Sequence, residues 1–109
     1  EDLAAEHGDF HIFGFLGERL VACLLLSPQS PTRLKMRQVA VEADTQGQGV
    51  GSKMVAFSEG IAKEQGYTEI VLNARENVVP FYRQLGYQVI SDRFIEVTIP
   101  HFTMQKRLL

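Results

Sequence analysis

The segment TQGQGVGSK (residues 45–53) places three glycines at every second position, although each glycine loses more backbone entropy on folding than any other residue. An apolar run, residues 39–41, precedes the segment. Apolar residues after it recur with the spacing of one helix face, at Val50, Met54, Phe57 and Ile61. The segment therefore joins a strand to a helix, and its glycines indicate a tight turn or a backbone that comes close to another group.

The elements around this loop predict one parallel crossover in a mixed sheet. Residues 10–26 are typical of two strands joined by a turn at residues 16–19, and residues 33–43 form a third strand, so the chain begins as an antiparallel meander. We expect a helix over residues 50–65 and a strand over residues 68–74. Since a strand–helix–strand sequence brings its two strands together in parallel, this part is a βαβ unit.

The rest of the chain predicts a short helix and a terminal hairpin. Asn77 is the expected N-cap, Pro80 is tolerated in the first turn, and Gly86 ends the helix. Residues 87–91 and 101–109 then have the pattern of strands. The fold class is thus α/β (α+β), with a mixed sheet of about six strands.

Length, charge and cysteine content favour one domain in a reducing compartment. A chain of 109 residues predicts a single domain, in which residues 1–9 are a weakly patterned leading segment. The net charge of −2 and the lack of a long apolar run predict no nucleic-acid partner and no membrane. Cys23 is the only cysteine and there is no signal-peptide pattern, so we expect a cytoplasmic protein with a buried, inert thiol.

The sequence predicts no metal site. His7 and His11 are four residues apart, as in a helical pair of metal ligands. Gly8 and Asp9 between them argue against a helix there, so the two imidazoles are not expected to share one face.

The glycine segment matches neither of two known nucleotide-binding motifs. A P-loop requires a second glycine where Ser52 stands and a hydroxyl residue where Met54 stands. A dinucleotide fingerprint requires a third glycine that is missing in this register, and an acidic residue at the end of the next strand, where Asn73 stands. Two interpretations remain: a plain connecting turn, or a cradle of main-chain N–H groups at a helix N-terminus, where the helix dipole favours an anion.

Three stretches together carry a resemblance to a known family. Gln46, Gly49 and Gly51 give the spacing Gln-x-x-Gly-x-Gly after a strand that ends in valine. The stretches ARENVVPFYRQLGY (74–87) and FIEVTIPHFTMQKRL (94–108) follow it. This pattern resembles the GNAT superfamily, the GCN5-related N-acetyltransferases, and here it is of a small bacterial type with a shortened N-terminus.

The resemblance implies transfer of an acetyl group from acetyl-CoA, as cosubstrate and without a metal, directly to a primary amine of a small molecule or a protein. It implies that the Tyr82 hydroxyl protonates the departing thiolate and that a main-chain N–H of residues 39–41 polarises the thioester oxygen. An ordinary phenol, with a pKa near ~10, keeps its proton at neutral pH. The residues that the resemblance assigns to the cofactor are Val39, Ala40, Val41, Gln46, Gly47, Gln48, Gly49, Val50, Gly51, Ser52, Asn77, Phe81 and Tyr82.

The base that accepts the proton of the amine has three candidates, Glu42, Glu96 and His101, acting directly or through water. Glu96 and His101 flank the turn between the last two strands, close to where the acceptor should lie. The fixed φ of Pro100 is expected to hold that turn. A histidine titrates near neutral pH, which suits the role of a base.

The short leading segment leaves alternatives open, because family members usually carry one or two helices before the first hairpin. Without them one sheet face should expose an apolar patch, so we expect a second copy to cover it in a homodimer. An acyl-CoA-binding or regulatory module without acceptor turnover is the alternative to an enzyme, and a purely structural domain is a weaker one. Lys35 and Arg37 fit either an acidic acceptor or an exposed strand face.

Overall fold

The computed structural model describes residues 8–108, which form seven strands and two helices. The strands are β1 (Phe10–Leu16), β2 (Arg19–Pro28), β3 (Arg33–Val41), β4 (Glu69–Arg75), β5 (Gln88–Val89), β6 (Phe94–Glu96) and β7 (Ile99–Arg107). The helices are α1 (Val50–Glu64) and α2 (Val79–Gln84), and each follows a 3-10 turn, Ala43–Thr45 and Glu76–Val78 respectively.

The strands form one sheet in the order β1-β2-β3-β4-β7-β5, and β6 pairs with β7 outside this path. Only the β3–β4 pair is parallel among the strands described, and α1 is the crossover between them. The predicted fold class, the antiparallel meander and the βαβ unit are confirmed. The structure adds β6 to the expected six strands.

Both helices pack on the same face of the sheet. Tyr87, which follows α2, donates a hydrogen bond to Glu59 of α1 at 2.9 Å, so the two helices lie side by side. Under α1, alternate residues of the central strands form the core because successive side chains of a strand point to opposite faces. The core residues include Leu24, Leu26, Leu34, Met36, Met54, Val55, Ile70, Leu72 and Met104.

The opposite face carries no helix from residues 8–108. Phe13 of β1 is 57% exposed there. Cys23, which lies opposite Phe13 on the neighbouring strand β2, is half-buried. The expectation of a buried Cys23 thiol was therefore wrong, because no described helix covers that face. Towards β4 the same face becomes charged, since Arg37 and Arg75 are exposed on it.

The parallel strands β3 and β4 diverge after a short contact. They pair only through Arg33–Met36 and Glu69–Leu72. Beyond this point β3 continues beside β2 through a bulge, in which Gln38 adopts a left-handed φ of 55°. Because a bulge bends its strand and increases the local twist, the second half of β3 turns away from β4 and leaves a cleft between them.

Two local predictions from the sequence were wrong. Asn77 is not the N-cap of the short helix: it lies inside a 3-10 turn, and Val78 precedes α2. Pro100 does not hold the turn near the C-terminus, because it lies within β7 opposite Ile95. The turn is made by Val97 and Thr98, both in the left-handed region at φ of 50° and 61°.

No helix among residues 8–108 is long and apolar enough to cross a membrane. The longer helix, α1, has 15 residues, whereas a span needs about 20.

A polar network ties α1, the end of α2 and β7 together. The Lys106 ammonium donates to both carboxylate oxygens of Glu59 at 3.0 and 3.2 Å, and to the main-chain oxygen of Leu85 at 2.7 Å. The Glu59 side chain is 15% exposed and that of Lys106 is 28% exposed, so water screens this pair only partly. Since Tyr87 bonds the same carboxylate, the network holds the segment after α2 against α1.

We expect Lys106→Met to lower the free energy of unfolding by about 2 kcal/mol, because it leaves the Glu59 carboxylate partly buried without its cation. Urea denaturation measures the change. The control is Arg19→Met, which removes an exposed pair between Arg19 and Asp44 at 2.8 Å and should leave the midpoint unchanged. Equal effects of the two substitutions would contradict a structural role for the network.

Candidate active site

A cleft of about 1050 Å³ lies where β3 and β4 diverge. Its walls come from the second half of β3, the end of β4, the glycine loop, α2 and the β6–β7 hairpin, which are far apart in the sequence. The lining residues are Lys35, Met36, Arg37, Gln38, Val39, Ala40, Val41, Gln46, Gly47, Gly49, Gly51, Ser52, Val55, Leu72, Asn73, Ala74, Arg75, Val78, Phe81, Tyr82, Glu96 and His101.

The glycine loop forms one end of the cleft, at the N-terminus of α1. Gly47 and Gly49 have φ of 87° and 82°, a left-handed conformation that L side chains rarely adopt, so the backbone path itself requires glycine. Gly49 is the N-cap residue of α1. The first N–H groups of a helix have no partner within the helix, and the dipole makes this end favourable for an anion.

Two glutamines brace this loop from outside. Gln46 donates its side-chain N–H to the main-chain oxygen of Val41 at 3.2 Å, and Gln48 donates to that of Asp44 at 3.3 Å. Gly51 lies in the first turn of α1, where a Cβ would come 3.3 Å from the Phe81 ring. The loop is therefore held between β3 and α2.

The structure brings ten of the thirteen residues assigned to the cofactor to the cleft wall. Gln48, Val50 and Asn77 are not part of that wall. Glu42, a candidate base, is also absent from it and lines a shallow depression of about 260 Å³ between the ends of β2 and β3. Of the three candidate bases, only Glu96 and His101 reach the cleft.

Tyr82 is a buried residue of the cleft wall, at 7% exposure. Its ring packs edge-on against Phe81 at 5.0 Å and against Tyr87 at 5.7 Å between ring centres, which fixes its position. Burial raises the pKa of Tyr82 above that of a free phenol, so the hydroxyl keeps its proton. No hydrogen bond joins this hydroxyl to another residue between 8 and 108, which leaves it able to donate to a bound molecule.

His101 is held in one orientation at the other end. Its Nδ1 lies 2.8 Å from the main-chain oxygen of Ile99, and its ring stacks on Phe94 with 5.8 Å between ring centres. A carbonyl oxygen only accepts, so Nδ1 carries the proton of the neutral ring. The lone pair is therefore on Nε2, the nitrogen that a base would use.

The β3 bulge supplies the main-chain groups near Val39. Opposite Leu24 of β2, two residues of β3, Gln38 and Val39, occupy the place of one. Such a bulge leaves one residue without its ladder partner. An N–H group that β2 does not use is the kind of donor that can polarise a carbonyl oxygen.

The sequence analysis missed Arg75 and Asn73 as cleft residues. Both lie at the end of β4, and Asn73 is joined to Thr103 of β7 by a hydrogen bond of 2.8 Å. Their position at the end of a strand with a buried apolar run was the available signal. No group of three or more acidic, histidine or cysteine side chains in the described part of the chain is arranged to hold a metal ion.

Comparison with known proteins gives a family match over most of the chain. A family model described as the acetyltransferase (GNAT) domain matches residues 3–108. The chain is 34% identical over 73 residues to the uncharacterized N-acetyltransferase YjcF of Bacillus subtilis (strain 168), covering 66% of this chain and 52% of that protein. It is 29% identical over 111 residues to N-acetyltransferase family 8 member 2 of Rattus norvegicus, covering 89% of this chain and 49% of that protein. The chain spans about half the length of these curated relatives.

Solved structures share the fold at low sequence identity. Ard1 from Thermoplasma volcanium matches with a TM-score of 0.85 at 20% identity, over 99% of this chain and 76% of that chain. An aminoglycoside 6'-N-acetyltransferase complexed with coenzyme A matches with a TM-score of 0.84 at 16% identity, over 99% of this chain and 79% of that chain. The match to the family model, on a sheet of this topology, shows that the chain belongs to the GNAT acetyltransferase family.

Proposed function

We propose that the chain transfers an acetyl group from acetyl-CoA to a primary amine by direct attack of the amine on the thioester. The observation that carries the proposal is the arrangement along one cleft. The glycine loop, Tyr82 and His101 all line it, the loop and Tyr82 on the helix-covered side and His101 beside Arg75 on the opposite side. An acyl transfer needs these three elements in one cavity, because both substrates must be held while protons are moved.

The residues present fit a CoA thioester. The left-handed Gly47 and Gly49 have nothing within 4 Å of the place where a Cβ would stand, so a diphosphate can approach the main chain there. Beyond the loop, the diverging strands leave unpaired edges, and the edge of β3 is where an extended amide-containing chain can hydrogen-bond. Phe81 and Tyr82 line the same cleft as the loop, so the sulfur of such a ligand can come near a phenol.

Groups of this chain can accept and supply the two protons that move in the proposed step. The neutral amine nitrogen forms a bond to the thioester carbon, and the bond from that carbon to sulfur breaks. His101 Nε2, directly or through water, accepts the proton that the nitrogen loses, while the Tyr82 hydroxyl donates a proton to the departing sulfur. A main-chain N–H at the β3 bulge stabilises the negative charge that develops on the oxygen.

We expect Tyr82→Phe to lower kcat for thiol release from acetyl-CoA, with a panel of amines, by about 100-fold, because the variant keeps the ring packing and loses only the proton donor. The matched control is Tyr67→Phe, a tyrosine outside the cleft wall, which should retain wild-type kcat. His101→Gln should lower kcat similarly and leave CoA binding intact. A wild-type chain that binds CoA but acetylates no amine would instead favour an acyl-CoA-binding module.

We expect Gly51→Val to weaken CoA binding by at least about tenfold, measured by calorimetry, because its side chain must share space with Phe81 beside the cradle. Gln48→Ala, outside the cleft wall, should bind CoA almost as the wild type does. Gly60→Val, on the open side of the same helix, controls for a general effect of valine in α1. Equal weakening by all three variants would argue against a main-chain cradle.

The stability of the fold should fall above about pH 10, where free tyrosine begins to ionise. Burial raises the folded-state pKa of Tyr82 above its unfolded value, so the unfolded chain loses this proton first and stability decreases as the pH rises towards the folded pKa. Tyr82→Phe should flatten this decrease by up to about 1.4 kcal/mol per pH unit. The measurement is urea denaturation of the wild type and of Tyr82→Phe between about pH 9 and pH 11, on either side of the pKa of free tyrosine near ~10. If Tyr82 ionised freely in the folded chain, the free energy of unfolding would change with pH equally in the two proteins.

A further inference from the structure

The end of the cleft that holds His101 is rich in cationic side chains. Lys35 and Arg37 reach it from β3, and Arg75 reaches it from β4. Lys35 is in register with Val71 of the neighbouring parallel strand, so residues 35, 37 and 75 project from the same, helix-free face. Three positive charges at one site are unexpected in a chain whose net charge is −2.

These charges are not neutralised by the carboxylates of the described residues. Among residues 8–108, no ion pair within 4.0 Å involves Lys35, Arg37 or Arg75. Arg37 donates one hydrogen bond, at 3.3 Å, to the neutral hydroxyl of Ser27. Glu69, on the same face, is bonded to Arg33 at 2.9 Å, which lowers the pKa of the carboxyl and keeps it ionised in that pair.

The three cations lie on the face of the sheet opposite to the glycine loop, so they do not bind a diphosphate held at that loop. The loop lies at the N-terminus of α1, on the helix-covered face, whereas Arg37 precedes the bulge and projects from the opposite face. The cleft connects the two ends through the gap between β3 and β4. An anion held by Lys35, Arg37 and Arg75 would therefore lie away from the glycine loop, on the side of the cleft where His101 stands opposite Arg75.

From this arrangement we infer that the acceptor is an amine that also carries a carboxylate, with the carboxylate held by Arg37, Arg75 and Lys35 and the amine directed to His101 and Glu96. The inference rests on the proposed acetyl transfer and specifies its acceptor. Guanidinium groups suit a carboxylate because they can donate two parallel hydrogen bonds to it. The same charges repel a polycationic amine, and they favour the neutral, reactive form of a bound amine.

The carboxylate can come from a free amino acid or from the acidic side chains of a peptide. The first arm of the test therefore compares thiol release with free amino acids and with their amides, at one near-neutral pH, with each rate referred to the concentration of the neutral amine. The second arm compares peptides that have aspartate or asparagine next to the N-terminal amine. We expect kcat/KM to be at least about tenfold higher for the carboxylate member of one pair, which is the loss expected for one charge-assisted hydrogen bond.

The variants Arg37→Gln and Arg75→Gln should remove this preference, with the KM for acetyl-CoA unchanged. Arg37→Glu should reverse it in favour of the amide. The matched charge control is Lys63→Gln, an exposed residue at the end of α1 and outside the cleft wall, which should keep the preference. Weaker CoA binding in Arg37→Gln, with acceptor selectivity retained, would overturn the inference.

The outcomes separate the inference from the proposed function. Equal turnover of carboxylate amines and amides, with Tyr82→Phe inactive, would overturn the inference and leave acetyl transfer standing. If no amine is turned over, the proposed function is overturned. The inference is then overturned as well, unless an N-acetyl amino acid binds the wild-type chain more tightly than its amide does. Such a difference, lost in Arg37→Gln, would keep the carboxylate site as a binding site.

Discussion

The divergence of two parallel strands is the constraint on which the functional part of this molecule depends. β3 and β4 pair only through Arg33–Met36 and Glu69–Leu72, and the bulge at Gln38 then turns β3 away. A regular parallel pair would close the gap with ladder hydrogen bonds and leave no space between the strands. The bulge instead opens a cleft of about 1050 Å³ through the sheet, and the buried core under α1 keeps the rest of both strands fixed. The inner edges of β3 and β4 are thus open beyond Met36 and Leu72, where a ligand can use them.

The elements that place reactive groups around this cleft are held by contacts of different strength. Phe81 and Tyr87 pack on both sides of Tyr82, and Lys106 links the end of α2 to Glu59 of α1. The β6–β7 hairpin, in contrast, depends on a turn in which Val97 and Thr98 both have positive φ, a conformation that costs β-branched residues energy. Strain of this kind persists only where the surroundings enforce it, and here β6 must pair with β7 for Phe94 to stack on His101. The orientation of His101, the proposed base, is therefore maintained by a strained turn, while that of Tyr82, the proposed acid, is maintained by packing.

Periodicity was enough to predict the antiparallel meander and the crossover, because apolar residues alternate along β3 and recur every three or four residues along α1. The glycine loop was also predictable, since left-handed backbone at Gly47 and Gly49 is the reason for glycine at those positions. The bulge was not, because Gln38 is an ordinary residue in a strand and carries no signal for positive φ. The same holds for the turn at Val97 and Thr98, which lacks the asparagine and glycine that favour such hairpins. Arg75 was missed because a single charge at a strand end gains meaning only when another strand brings Arg37 to the same face.

Both ends of the cleft favour an anion, and this bears on the proton donor proposed between them, Tyr82. The glycine loop offers main-chain N–H groups and a helix dipole to an anion, and the end that holds His101 offers side-chain cations. A proton donor that carried a charge would interact strongly with the positive groups at both ends of the cleft, whichever substrate is bound. A phenol that burial keeps neutral avoids this, because it carries no charge until it gives up its proton. In the proposed reaction the proton then leaves towards a sulfur that is gaining negative charge, so the buried phenolate is formed only when a proton acceptor is beside it. Burial of Tyr82 is therefore compatible with the proposed proton donation, and the packing of Phe81 and Tyr87 against two sides of the ring fixes the place from which the proton is donated.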